Sequence, residues 1–539
     1  VWKLLWAKNC VALVPVTSSQ IYTMVPLILL LFSVIFPCQS FDSLNLPEEH
    51  VPYYFYNNPS EREACLKDDD CPYKEYASVK RCWGYEAKCD RKNAPPMPVC
   101  EGDCPQAWAP TKEKQQETFW KEADFGYIKE RLKERTTICE PESDTDGKLE
   151  CVSFMRYCKA KNIYLDFSQA DFKNSRDRYS ETVFKKGEIG GRCKFHEKKL
   201  KAEDGHKSPL QSWYAEFQEY TGLDFDPFKE EKCDIIYDKP VILIKLDAGV
   251  NMYHHFCDFV NLYASQHMNN SFTQDATIVM WDTSGMNYGD FFSDTWKAFT
   301  NSPVIPLNLY QGKKVCFKDA VFSLLPRMRF GLFYNMPLIP GCIGSSLMRA
   351  FSHHVTHRLE IPQDGPLEKQ IRVTLLIRST KYRKIMNQDE LVVALRLRED
   401  IELNVVDFNL QMPFLDQLKV THNSDIFMGM HGAGLTHLLF QPDWGSIFEI
   451  YNCEDAGCYS DLSRLRGLHY MTWEKQDKLT QEDEGHHPTL GAHAKFTNYG
   501  FDVDEFLRMV DKGIAHVKQH PAYIEAWQKK WGNQSKDEL

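Results

Sequence analysis

The stretch MGMHGAGLTHLLF, Met428 to Phe440, joins an apolar run to two glycines and two histidines and then turns apolar again. Placed between the end of a strand and the start of a helix, His431, Gly432 and Gly434 would form an anion cradle. The first amides of a helix lack internal partners, the dipole end is positive, and glycine lets a ligand approach the backbone closely. A phosphate or pyrophosphate is the group such a place holds. The plainer alternative is a tight turn that packs helix on strand. A metal is disfavoured because His431 and His437, six residues apart, would leave a helix on nearly opposite faces. A hydrolase loop is disfavoured because no G-x-S-x-G elbow occurs, and HEKKL at His196 lacks the second histidine of a zinc protease motif.

Two further stretches carry chemistry. In LLIRSTKYRKIMN, Arg378 ends a buried strand, and Arg383 and Lys384 follow in a loop. Cations gathered at the carboxyl end of a sheet suit a diphosphate leaving group, although Arg383 taken alone reads equally as a surface charge. Glu449, at the end of the next strand, is placed to hold ribose hydroxyls or to be a solvated loop acid, as is Asp443. In LDAGVNMYHHFCDFVN, His254, His255 and Asp258 share one helix face. Asp258 beside an imidazole could deprotonate a hydroxyl, with His255 as the alternative base, if burial brings its pKa toward neutrality. Asp247 and Asn251 lie at the preceding strand's end, facing the same cleft with His254. The rival reading is a hydrogen-bond network that holds the helix. Acidic D-x-D pairs occur at Asp68, Asp144, Asp224 and Asp502, none cleanly after a buried strand, so no required metal is expected.

The elements that must position these groups are legible. KPVILIKL, a helix over Tyr253 to His267, and ATIVMW make a β-α-β unit. From residue 371, five strands alternate with helices: IRVTLLIR, ELNVVDF, DIFMGM, SIFEIY and LHYMTW. The pattern predicts α/β architecture with two Rossmann-type doubly wound domains, whose ligands bind beyond the carboxyl ends of the strands in the cleft between them. The expected divisions are a signal region over 1–40, a cysteine-rich region over 41–235, a first Rossmann-like, acceptor-side domain over 236–365, a second, nucleotide-sugar domain over 366–520, and a tail over 521–539.

The chain has 539 residues and a formal charge of -11, without a long basic run, so nucleic acid is excluded as a partner. MVPLILLLFSVIFPCQS (Met24 to Ser40) reads as a secretory signal peptide, and residues 1–23 as upstream or non-native sequence. Lys536-Asp537-Glu538-Leu539 is the tetrapeptide that the KDEL receptor retrieves to the endoplasmic reticulum lumen. No other segment is apolar enough for a stable membrane span. The cysteines past the signal form an even set, for which disulfides are the expectation in an oxidising lumen. Eleven fall in the N-terminal region, so one bridge is expected to reach Cys257, Cys316 or Cys342. Cys100 and Cys104 have zinc-like spacing but no neighbouring histidines. Asn269 and Asn533 open glycosylation sequons, Asn269 being the better candidate.

Taken together, KLDAGVNMYHHFCDFVNLY, FSLLPRMRFGLFYNMPL, RSTKYRKIMNQDEL, DIFMGMHGAGLTHLLFQPDW and FEIYNCEDAGCY resemble the lumenal family of EGF-domain-directed O-linked N-acetylglucosamine transferases. The resemblance runs from about Leu46 to the end. The run around His431 is shared with a wider group that includes plant xylosyltransferases. The resemblance implies a GT-B-like inverting enzyme using UDP-GlcNAc as donor substrate and no other cofactor. It would modify Ser or Thr of folded EGF-like domains of Notch-type receptors and matrix proteins. It further implies that Arg378, Lys384 and the amides near Gly432 and Gly434 stabilise the departing diphosphate, with His431 contacting a phosphate or locking the turn. One departure stands out: Asn301-Ser302-Pro303 occupies the place of an acidic triplet common in the family. That change keeps open a catalytically silent binding protein on the same fold; independently of it, a lumenal transferase of another sugar or acceptor is the other alternative.

Overall fold

The structure, a computed structural model, describes residues 2–7, 10–15, 44–102, 106–205, 208–286, 289–328, 331–333 and 339–532. The expected signal peptide, Cys104, the Asn533 sequon and the terminal Lys536–Leu539 tetrapeptide lie outside the described residues. No helix among the described residues is long and apolar enough to cross a membrane.

The N-terminal region contributes four antiparallel strands: β1 (Thr136–Glu140), β2 (Lys148–Cys151), β3 (Cys158–Asp166) and β4 (Lys194–Phe195). The first α/β half follows with β5 (Val241–Ile244), helix α1 (Met252–Asn269), β6 (Thr277–Met280), β7 (Ile305–Pro306) and β8 (Lys314–Phe322). All eight strands lie in one eleven-stranded sheet, in the order β7-β6-β5-β8-β3-β2-β1-β4. Its parallel part, β7-β6-β5-β8, reverses direction of strand order between β5 and β8, the point where a doubly wound sheet opens a crevice. Strand β3 then pairs antiparallel with β8 from Lys314↔Asp166 to Phe322↔Cys158. The boundary expected near residue 235 therefore falls inside a single sheet.

The second half is the expected parallel sheet. Strands β9 (Ile371–Leu376), β10 (Ile401–Val406), β11 (Ile426–Gly429), β12 (Ser446–Glu449) and β13 (His469–Thr472) are ordered β10-β9-β11-β12-β13. Every residue of β9, β11 and β12 is buried, as a sheet covered on both faces requires. The intervening helices are α2 (Ser346–Arg358, before β9), α3 (Gln388–Arg396), α4 (Phe414–His422) and α5 (Cys458–Arg466). The short helix expected after β11 is present, as a 3-10 helix over Ala433–Phe440.

The two halves share a core. Helix α1 is almost wholly buried, and its Phe256 ring meets Phe440 at 5.5 Å and Phe414 at 6.0 Å, both from the second half. Two disulfides tie the N-terminal region to later segments: Cys100–Cys342 and Cys233–Cys316. The single bridge expected from an odd count is thus corrected to two, among the described residues, and Cys257 is a buried thiol outside these bridges. The remaining pairs, Cys65–Cys71, Cys82–Cys89, Cys139–Cys193 and Cys151–Cys158, are local to the N-terminal region.

Candidate active site

In the second sheet, the chain leaves β9 toward β10 on one side and returns as β11 on the other, so the carboxyl ends of β9 and β11 flank the switch point. A cavity of about 520 Å³ opens there. Its second-half wall includes Arg378, Thr380, Asp407, Phe408, Phe414, Ala433, Gly434 and His437; its first-half wall consists of Val250, Met252, Phe291, Phe292 and Asp294. The volume falls within the range of small-molecule sites.

Of the sequence MHGAG, Ala433 and Gly434 line the cavity, and His431 and Gly432 immediately precede them. Arg378 donates from Nη1 to the His431 carbonyl at 3.3 Å, and Arg383 donates from its Nη1 to the same oxygen at 3.0 Å. Gly432 makes this possible: a Cβ there would stand 2.2 Å from Arg378 Nη1. A Cβ at Gly434 would meet Leu376 at 2.7 Å. Neither arginine forms an ion pair among the described residues, and Arg383 Nε is buried without a partner. Burial, and then the like charge of Arg383, pulls the Arg378 pKa down to about 10. Two adjacent guanidiniums without a carboxylate are costly unless an anion joins them. The amides of Ala433 and Gly434, in the first turn of the 3-10 helix, open on the same cavity.

His431 is 5% exposed, and its Nδ1 lies 2.7 Å from Glu449 Oε1. Glu449 is fully buried, and its other oxygen accepts from Tyr470. It acts on the site through His431, and both of its oxygens are engaged away from the cavity. Lys384 is exposed on the loop, anchored by its backbone N–H to Asn498, and Arg383 takes the inner position beside Arg378. Arg383 adopts φ +62°, the turn that brings its guanidinium inward. Asp443 is held by Arg466 and Arg349 away from these groups, and is not on the cavity wall.

In the first half, the helix-face cluster forms as the spacing predicts. Asp258 is 1% exposed and accepts from the Asp247 N–H at 3.2 Å, and its Oδ2 lies 3.3 Å from His255 Nδ1. His255 Nε2 reaches Asp290 Oδ1 at 3.0 Å, and Trp296 Nε1 donates to Asp290 Oδ2 at 2.7 Å. Burial pushes the Asp258 carboxyl up to about 6. For His255, burial opposes the charge, but hydrogen bonds to Asp258 and Asp290 outweigh it and raise the pKa to about 9. Asp247 sits between His254 Nδ1, at 2.9 Å, and Arg327 Nε, at 2.7 Å. Asn251 caps α1, its side chain accepting from the Tyr253 N–H. Asp258 and His255 do not line the cavity; the cluster stands behind its first-half wall, and Phe291 and Phe292, next to Asp290, form that wall.

Residues 252–448 match the Glycosyltransferase 61 family. An EGF domain-specific O-linked N-acetylglucosamine transferase of Canis lupus familiaris is 55% identical over 489 residues, covering 90% of this chain and 92% of its own length. Those of Mus musculus and Drosophila melanogaster are 56% and 44% identical, over 90% and 89% of this chain and 92% of each relative. The chain belongs to this family. It is a glycosyltransferase of mixed α/β, GT-B-like architecture with a disulfide-rich N-terminal region.

The stretch shared with Glycosyltransferase 61 contains both walls of the cavity except Val250, together with His254, His255, Asp258 and Asp290 of the cluster behind them. Asn301-Ser302-Pro303 is exposed and does not line the cavity. Among the described residues, two groups bring three metal-capable side chains together: Glu49, His50 and His353, and Cys82, Glu86 and Cys89. The second is consumed by the Cys82–Cys89 disulfide, and neither lies on the cavity. Cys100, half of the zinc-like pair, is disulfide-bonded to Cys342. Asn269 ends α1 half-buried, with its Oδ1 enclosed.

Proposed function

We propose that this chain transfers N-acetylglucosamine from UDP-GlcNAc, with inversion, to Ser or Thr hydroxyls of folded EGF-like domains in the endoplasmic reticulum lumen. The observation that carries the donor half is the pair of guanidiniums, Arg378 and Arg383, held against the His431 carbonyl without a carboxylate partner. The acceptor half rests on the relatives' names, which specify EGF domains.

In this reading the diphosphate lies against Arg378, Arg383 and the amides of Ala433 and Gly434. Glu449 fixes the ring of His431, which holds the turn. Lys384, exposed on the same loop, adds long-range attraction to the incoming anion. The nucleoside occupies the cavity toward Phe408 and Phe414, and the acceptor enters along the Val250–Phe291 wall. Holding donor and acceptor in line contributes a large share of the rate advantage. Fixed cations at the leaving oxygens contribute most of the rest. No resident metal is required, since the guanidiniums supply the charge that a metal otherwise would. The six disulfides among the described residues fit an oxidising compartment, and the terminal tetrapeptide fits retrieval by the KDEL receptor. Acceptors of the Notch-receptor and matrix-protein type follow from the EGF-like target.

The test is direct. The purified chain is incubated with a folded EGF-like repeat and each of several UDP-sugars, and the acceptor is weighed by mass spectrometry. A gain of one N-acetylhexosamine with UDP-GlcNAc, and none with UDP-xylose, is expected. No gain with any sugar would leave a binding protein on a transferase fold.

A further inference from the structure

The reaction proposed above needs a base, and the cavity wall carries two carboxylates among the described residues, Asp294 and Asp407. Asp407 shares its wall with Arg378, and its charge favours the charged guanidinium. It stands on the leaving-group side and is bonded by Asn409. Asp294 stands on the opposite, first-half wall. Its side chain is 36% exposed, and its one hydrogen-bond partner among the described residues is Lys297 Nζ, at 2.7 Å on Oδ1. Lys297 is itself 67% exposed, and among the described residues no bond to Oδ2 is formed.

The segment that carries Asp294 is firmly set. It is the 3-10 helix Ser293–Ala298, with Thr295, Trp296 and Ala298 buried. Trp296 donates to Asp290, Asp290 meets His255, and His255 meets Asp258. The Asp258–His255–Asp290 chain, buried at Asp258 and His255 and partly open at Asp290, thus anchors the segment that presents Asp294 to the cavity. Asp294 therefore lines the cavity on a fixed backbone, which is where a group within reach of an acceptor hydroxyl must stand, and reach comes before the pKa requirement.

We infer that Asp294 is the general base of the transfer and that Asp258, His255 and Asp290 are positioning residues. The inference rests on the glycosyltransferase reading above. The acceptor O–H proton passes to the Asp294 carboxylate as the hydroxyl oxygen forms its bond to the anomeric carbon. The bond from that carbon to the diphosphate oxygen breaks with its electron pair, and UDP departs against Arg378 and Arg383.

The experiment compares Asp294→Asn, Asp294→Glu and Asp258→Asn, each with three readouts: kcat for transfer to a folded EGF-like repeat, the Kd for UDP, and the unfolding midpoint. Asp294→Asn is expected to lower kcat about 100- to 10,000-fold, the range for loss of a general base, with UDP affinity and midpoint unchanged. Asp294→Glu, which keeps a carboxylate, is expected between the two. Asp258→Asn is expected to lower the midpoint and to lose less activity than Asp294→Asn. The inference is overturned if Asp294→Asn transfers within a few-fold of the parent, or if its main defect is in UDP binding. It is equally overturned if Asp258→Asn alone abolishes transfer with fold and UDP affinity intact. A parent chain that binds UDP but transfers no sugar would instead refute the underlying reading.

Discussion

At the scale of single residues, the central feature is charge without countercharge. Arg378→Ala removes one charged hydrogen-bonding group from the diphosphate, worth about 1.5–3 kcal/mol, so UDP affinity is expected to fall about tenfold to a hundredfold; calorimetric titration checks it. Gly432→Ala tests the same site by shape. Its Cβ would displace the flexible end of Arg378 and leave the core alone, so UDP affinity falls while the unfolding midpoint stays nearly constant; an unchanged Kd would show that Arg378 need not lie there. His255 gives a pH prediction. Its pKa is raised in the fold to about 9, so the folded state holds this proton more tightly than the unfolded chain. The stabilisation is complete below the ordinary value of about 6.5 and is lost as pH rises toward 9. The midpoint should decline over that window, and Asp290→Asn, which removes one of the raising partners, should flatten the decline. The residues legible in sequence were those whose chemistry contradicts their surroundings: a cation ending a buried strand, and glycines between strand and helix. Arg383 and Lys384 are adjacent cations in one loop, and only the local turn at Arg383 decides which faces inward. Asp294 lies in a short 3-10 segment with no periodic signature, so nothing in FFSDTW distinguished it from a surface acid.

At the scale of elements, mostly apolar runs marked the central strands β9, β11 and β12, which are buried along their whole length, whereas the edge strands β10 (IELNVV) and β13 (HYMT) interleave polar residues and are partly open. The N-terminal strands were not legible. Strand β3, CKAKNIYLD, mixes charges into its pattern because it joins β8 in a sheet partly open to solvent, and its partner lies more than a hundred residues downstream. The pairing of Cys233 with Cys316 had the same obstacle, since connectivity cannot be deduced from spacing. The two classes of disulfide should differ in worth. Cross-linking restricts the unfolded chain more for longer loops. Opening Cys233–Cys316, with separation 83, should therefore cost about 2 kcal/mol more than opening Cys65–Cys71, with separation 6. Urea unfolding of the two double-serine variants measures the difference, and equal losses would count against a long-range staple.

At the scale of the whole molecule, the cysteine-rich region and the first α/β half form one sheet, and the first half shares a core with the second through Phe256, Phe414 and Phe440. A fragment beginning near residue 236 would expose the whole β8 edge and the core beneath it. It is expected to be insoluble or to bind a molten-globule dye, whereas a cooperative unfolding transition from that fragment would refute the single-sheet account. This integration matters to function, because the acceptor-side wall stands on the first sheet and the donor-side wall on the second. The central claim is that the paired guanidiniums at the second sheet's switch point are the diphosphate site. The most direct measurement is calorimetric titration of UDP, with uridine as reference, into the parent chain and into Arg378→Ala/Arg383→Ala. The account predicts that the parent binds UDP far more tightly than uridine, and that the double variant loses at least about a hundredfold for UDP with little change for uridine. Equal UDP affinity in the two proteins would contradict it.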